Sequence, residues 1–108
     1  MLHIYEVVLQ MVAGIARIAD EVEKHDADLT RQLRRAGASV ALNTAEGMGN
    51  TGGHKRQRYQ TALGSAREVK ACIDVAKAMR YVGDVDEVTL DQLSHVTGAL
   101  VNLSRRRA

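Results

Sequence analysis

Three groups of basic residues have the types and spacing to do chemistry. Arg31, Arg34 and Arg35 stand at i, i+3 and i+4. At about 100° per residue they share one helix face, turned away from the apolar Leu33, Ala36 and Val40. Lys55-Arg56-Gln57-Arg58 opens the third predicted helix, where free first-turn amides and the helix dipole already favour an anion. Arg105-Arg106-Arg107 lies near the C-terminus and reads as a solubilising tail. Eleven of the 15 basic residues are Arg. Its planar fork suits phosphate and carboxylate oxygens, whereas Lys acts as a point charge. The implied chemistry is therefore anion contact. A nucleic-acid backbone is one source of such anions. The acidic segment holding Asp20, Glu21, Glu23, Asp26 and Asp28 is another, within one chain or between copies.

Other chemistries find less support. Gly47-Met48-Gly49-Asn50-Thr51-Gly52 spells G-x-G-x-x-G, but a dinucleotide loop needs a strand before it, and here a helix precedes it. His3, His25, His54 and His95 are widely separated and form no E-x-x-H pair, so no metal and no cofactor is expected. Ser39, Ser65, Ser94 and Ser104 have no His at a spacing that suggests a nucleophile. Cys72 reads as a small buried hydrophobe. Asn43 and Glu46 sit at the border between core and solvent, where Asn43 can tie a backbone group and Glu46 can accept an Arg such as Arg67. With only Tyr5, Tyr59 and Tyr81 as aromatics, base-stacking platforms are not expected. Any nucleic-acid contact would be backbone electrostatics, steep in salt.

Helices must position these groups. The chain has 108 residues, is 45% hydrophobic and 26% charged, and contains no Pro, Trp or Phe. That balance excludes intrinsic disorder and fits one domain, 1–108. No apolar run approaches the ~20 residues that span a bilayer, no signal peptide is evident, and one Cys makes no intrachain disulfide. The cytoplasm is the expected compartment. Apolar residues recur three or four apart throughout. Tyr5, Val8, Val12, Ile15, Ala19 and Val22 predict a helix over 2–24. Asp26 or Asp28 can cap a second, from Asp28 to Gly47, with Leu29, Leu33, Ala36 and Val40 inward. The glycines of 47–53 predict a loose joint. A third helix is expected from His54 to Val82, with Ala62, Ala66, Val69, Ile73 and Ala76 inward, ended by Gly83-Asp84. Asp86 to Thr89 supplies a cap for a fourth, running to Arg105, with Val88, Leu93, Val96, Leu100 and Leu103 inward. Short joints make the fold an all-α, antiparallel up-down-up-down four-helix bundle. A core built of Ala, Val, Leu and Ile is small, and self-association is one way to add burial.

The block Asn43-Thr-Ala-Glu46-Gly47-Met-Gly49, followed by Ala62-Leu-Gly64-Ser65 and Glu68, resembles the bacterial four helix bundle protein family, also called the 23S rRNA intervening-sequence protein family. The resemblance implies the same bundle, assembled as a ring, often a pentamer, with Asn43, Glu46, Gly47, Gly64 and Ser65 as a structural motif. The related accessory protein of diversity-generating retroelements binds a reverse transcriptase and nucleic acid. The chain departs from the pattern at Ala41, where Pro is frequent, at Asn50, where a basic residue is common, and at Lys70, where a second carboxylate stands.

The expectation is then a non-enzymatic, cytoplasmic homo-oligomer, a pentamer, that binds RNA or DNA phosphates or a nucleoprotein partner such as a reverse transcriptase. Arg31, Arg34, Arg35, Lys55, Arg56 and Arg58 are the candidate contacts. The alternative is an oligomeric scaffold with no nucleic-acid role, in which the Arg31 group meets an acidic face of the next copy, around Asp20 to Asp28, or of a protein partner.

Overall fold

The computed structural model describes residues 3–105. Four helices follow one another: α1 (Ile4–Glu23), α2 (Ala27–Gly49), α3 (Gly52–Ala78) and α4 (Glu87–Arg105), with no strand among the described residues. Each packs on its neighbours in cyclic order, α1 on α2 and α4, α3 on α2 and α4. This is the expected antiparallel bundle, 43 Å long and 26 × 18 Å across. The predicted start of α1 at residue 2 and the Arg106-Arg107 part of the basic tail lie outside the described residues.

The inward stripes explain the packing. Val8, Met11, Ile15 and Val22 of α1 meet Leu33 and Val40 of α2, Val69 and Ile73 of α3, and Val96 and Leu100 of α4 in one buried core. Cys72 joins it, and burial, with a smaller contribution from Glu68, pushes its thiol pKa up. At Gly14 the α1 backbone passes so close to Thr89 of α4 that an added Cβ would lie 2.0 Å from the Thr89 hydroxyl oxygen. Val88, expected inward, is instead 61% exposed, and the buried Thr89 takes that inward position. Val12 and Leu103 are half-buried rather than core.

Caps set the helix starts. Of the two candidates for α2, Asp26 is the one used: its carboxylate accepts the Leu29 amide at 2.9 Å. Asp86 does the same for α4, accepting the Val88 amide and the Thr89 hydroxyl, both at 3.1 Å. The stacked rings of His25 and Tyr81, 5.2 Å apart and 8° from parallel, tie the α1–α2 turn to the α3–α4 connection.

Two boundaries differ from expectation. The glycine joint shrinks to Asn50 and Thr51: α2 runs on through Gly47 and Gly49, and α3 starts at Gly52, whose φ of 60° needs a glycine. At its other end α3 stops at Ala78, four residues before the expected Val82. The Arg80 amide donates to the Lys77 carbonyl and the Tyr81 amide to the Ala76 carbonyl, the paired bonds of a Schellman end. The residue in the left-handed conformation is Arg80, with φ 62°, where glycine is the usual occupant. Gly83 does not make this turn.

A left-handed non-glycine residue costs ~1–2 kcal/mol, and glycine loses part of that gain through its freer unfolded state. Arg80→Gly is therefore expected to stabilise the fold by about 0.5–1 kcal/mol and to raise Tm by a few degrees in thermal denaturation. An unchanged or lower Tm contradicts the left-handed assignment.

Candidate nucleic-acid interface

The Arg31, Arg34 and Arg35 side chains all lie on the exposed face of α2, as their spacing predicts. Two of the three are already engaged inside the protomer. Arg34 donates to Asp20 at 2.9 Å and to both carboxylate oxygens of Glu23 at 3.3 Å, across the α1–α2 seam. Those hydrogen bonds, Glu23 first and Asp20 second, raise the Arg34 pKa. Arg31 pairs with Asp28 one turn earlier on its own helix. Arg35 has no ion-pair partner among the described residues.

The second cluster belongs to the opposite end of the bundle. Antiparallel packing brings the start of α3, the ends of α2 and α4 and the start of α1 together there. Lys55 and Arg56 occupy the first turn and a half of α3 and have no ion-pair partner among the described residues. Arg105, in the last turn of α4, is exposed at the same end. Arg58 is partly committed: it donates to the Asn43 side-chain oxygen at 3.4 Å and lies 3.9 Å from a Glu46 oxygen. The carboxylates Asp20, Glu21, Glu23, Asp26, Asp84 and Asp86 gather at the other end. The two basic clusters are thus separate within one protomer, and among the described residues the α3 end carries no carboxylates apart from Glu6 and Glu46.

The motif residues between them form a polar seam on the α2–α3 contact. The Asn43 amide donates to the Ser39 carbonyl at 3.0 Å and to the Ser39 hydroxyl at 3.1 Å. Ser39 and Ser65 hydroxyls share a hydrogen bond of 2.7 Å. Asn43 thus ties a backbone carbonyl, as its position suggested. Glu46 does not meet Arg67; its basic neighbour is Arg58, because antiparallel register sets the last two turns of α2 beside the first two of α3. Two parts of this seam escape sequence reading. Ser39 is half-buried by its pairing across the helices, and Tyr59 is buried with its ring against the bare backbone of Gly47. A Cβ on Gly47 would sit 2.6 Å from a Tyr59 ring carbon. The A-E-G block marks the glycine but not its partner twelve positions on.

Gly64, the other glycine of the motif, differs. It is exposed in the middle of α3, and no atom lies within 4 Å of where its Cβ would be.

The family model described as 23S rRNA-intervening sequence protein matches residues 1–102. The chain belongs to the 23S rRNA-intervening sequence protein family. Among solved structures, the crystal structure of a Bacteroides thetaiotaomicron protein of unknown function, from the S23 ribosomal protein family, superposes with a TM-score of 0.83. It is 14% identical, and the match covers 96% of this chain and 100% of that one, so the likeness is one of fold. No curated protein matches this sequence. For this member of the intervening-sequence family the shared block has a physical meaning: Asn43, Gly47 and Ser65 hold α2 and α3 in register. No helix among the described residues is long and apolar enough to cross a membrane.

The two motif glycines should respond oppositely to alanine. Gly47→Ala overpacks against Tyr59 and is expected to cost about 1–3 kcal/mol in denaturant unfolding. Gly64→Ala relieves an exposed helix glycine and is expected to gain up to ~1 kcal/mol. Equal effects would contradict the packing described at Gly47.

Proposed function

We propose that this protein is a non-enzymatic, cytoplasmic homo-oligomer, a pentamer, that contacts RNA phosphates through the basic end of the bundle. The observation that carries this reading is the grouping of half-buried Lys55 with exposed Arg56 and Arg105, none with an ion-pair partner among the described residues, around the first turns of α3. There the free amides and the dipole of a 27-residue helix add to the side-chain charge. Membership of a family described by 23S rRNA intervening sequences supports RNA over DNA as the polyanion. Exposed Leu42, at 67%, and Val75, at 47%, support self-association, since they leave apolar surface on α2 and α3 without cover in one protomer. Arg58 is a secondary contact in this reading, and Arg35 stands apart in the α2 cluster. Arg31 and Arg34 are chiefly ion-pair partners of Asp28, Asp20 and Glu23.

A second reading has its own observation. In a scaffold with no nucleic-acid role, the Arg31 group meets acidic residues of a next copy or of a protein partner; the Arg34 pairing with Asp20 and Glu23, made here inside the protomer, shows that these groups suit one another. A nucleoprotein partner such as a reverse transcriptase would use the same free basic end.

Titration of a mixed-sequence RNA at a series of salt concentrations separates these readings. RNA binding should weaken steeply with salt, because each neutralised phosphate releases counterions. Replacing Lys55, Arg56 and Arg105 by Ala should make the log–log salt slope shallower by about 2–3, roughly one per lost phosphate contact. Arg31→Ala with Arg34→Ala should leave it nearly unchanged. Absence of binding at low salt defeats the phosphate reading, and loss of binding only in the Arg31, Arg34 pair moves the interface back to α2.

A further inference from the structure

Two exposed features on different sides of the bundle are complementary. The first is a shallow groove of about 400 Å³ between α3 and α4, lined by Arg67, Lys70, Leu93, Ser94, Thr97 and Gly98. Its polar rim is uneven. Lys70 is held by Asp74 at 2.8 Å, whereas Arg67 has no hydrogen-bond or ion-pair partner among the described residues. Gly98 leaves a notch in one wall. No atom lies within 4 Å of where its side chain would begin, so nothing in the protomer requires glycine there. Yet glycine is the least favourable residue for a helix interior apart from proline.

The second feature is the outer stripe of α1. Glu6, Leu9, Ala13 and Ala16 are exposed and spaced three, four and three apart, on the side away from Met11, Ile15, Ile18 and Val22. Leu9 is 45% exposed, and Glu6 has no ion-pair partner among the described residues. Ala13 and Ala16 keep this face low, so a second surface can approach the helix closely.

We infer that the α1 stripe of one copy docks in the α3–α4 groove of a second copy, with Leu9 at the Gly98 notch and Glu6 facing Arg67. The inference rests on the self-association part of the proposed function and is independent of RNA. Charge complementarity selects the occupant: the groove offers an unengaged guanidinium, and the stripe carries an unengaged carboxylate one helical turn from its one large apolar side chain. The stripe and the groove share no residue, so each copy can donate one and offer the other. Such an interface is heterologous and passes from copy to copy.

Sedimentation equilibrium on the full chain tests it. The wild-type protein should associate. Glu6→Arg and Arg67→Glu should each weaken association by about fivefold, the upper range for an exposed ion pair. Leu9→Glu should weaken it by more than about tenfold, as expected of an anchor in a notch. The double variant Glu6→Arg, Arg67→Glu should return association close to wild type, because the pair is then reversed rather than broken. Circular dichroism should show unchanged helix content in all four. A wild-type protein that sediments as a protomer overturns both this inference and the self-association reading. Association that none of the variants changes, or that the double variant does not recover, overturns the inference alone.

Discussion

The close passage of α2 against α3 is the constraint on which the rest depends. Gly47 must lack a side chain because the Tyr59 ring occupies that space. Once the ring is seated there, the register of two long helices is fixed, and Ser39 meets Ser65 while Asn43 meets Arg58. Because the ring covers the end of α2, the connection to α3 can be two residues long without opening the core. Packing of this kind is unforgiving of volume: interiors are as dense as organic crystals, and a methyl group in the wrong place displaces its neighbours. The polar seam then serves specificity more than stability. Its hydrogen bonds are half-exposed and individually modest, but a slipped register would leave Asn43 and both serines unmatched.

The architecture was legible because periodicity reports burial directly. Val8, Ile15, Leu33, Val40, Val69, Ile73, Val96 and Leu100 are all core. Boundaries were less legible for physical reasons that differ from site to site. Glycine in 47–53 signals a break only if nothing rewards continuing the helix, and burial of Gly47 against Tyr59 supplies that reward. At the end of α3 the left-handed residue is an Arg, and a sequence offers no mark for an Arg in that role while Gly83 stands nearby. Val88 was misplaced because the fourth helix turns Thr89, bonded to Asp86, toward Gly14.

The basic residues were legible as a set but not as a site. Spacing alone shows that Arg31, Arg34 and Arg35 face outward. It does not show that Glu23 and Asp20, on another helix, are the carboxylates that reach Arg34, whereas the antiparallel hairpin expected from the short joints already sets Lys55 at the far end of α2 from Arg31. That pairing comes from antiparallel register, a tertiary property. Thr44 illustrates the same limit: its hydroxyl is buried and has no hydrogen-bond partner among the described residues, a cost that no local pattern announces.

The separation of charge along the bundle also makes the protomer an electric dipole, its negative pole around Asp20 to Asp28 and its positive pole around Lys55 and Arg105. A molecule of this kind rotates in the field of a polyanion before it touches, so its long axis is aligned on arrival.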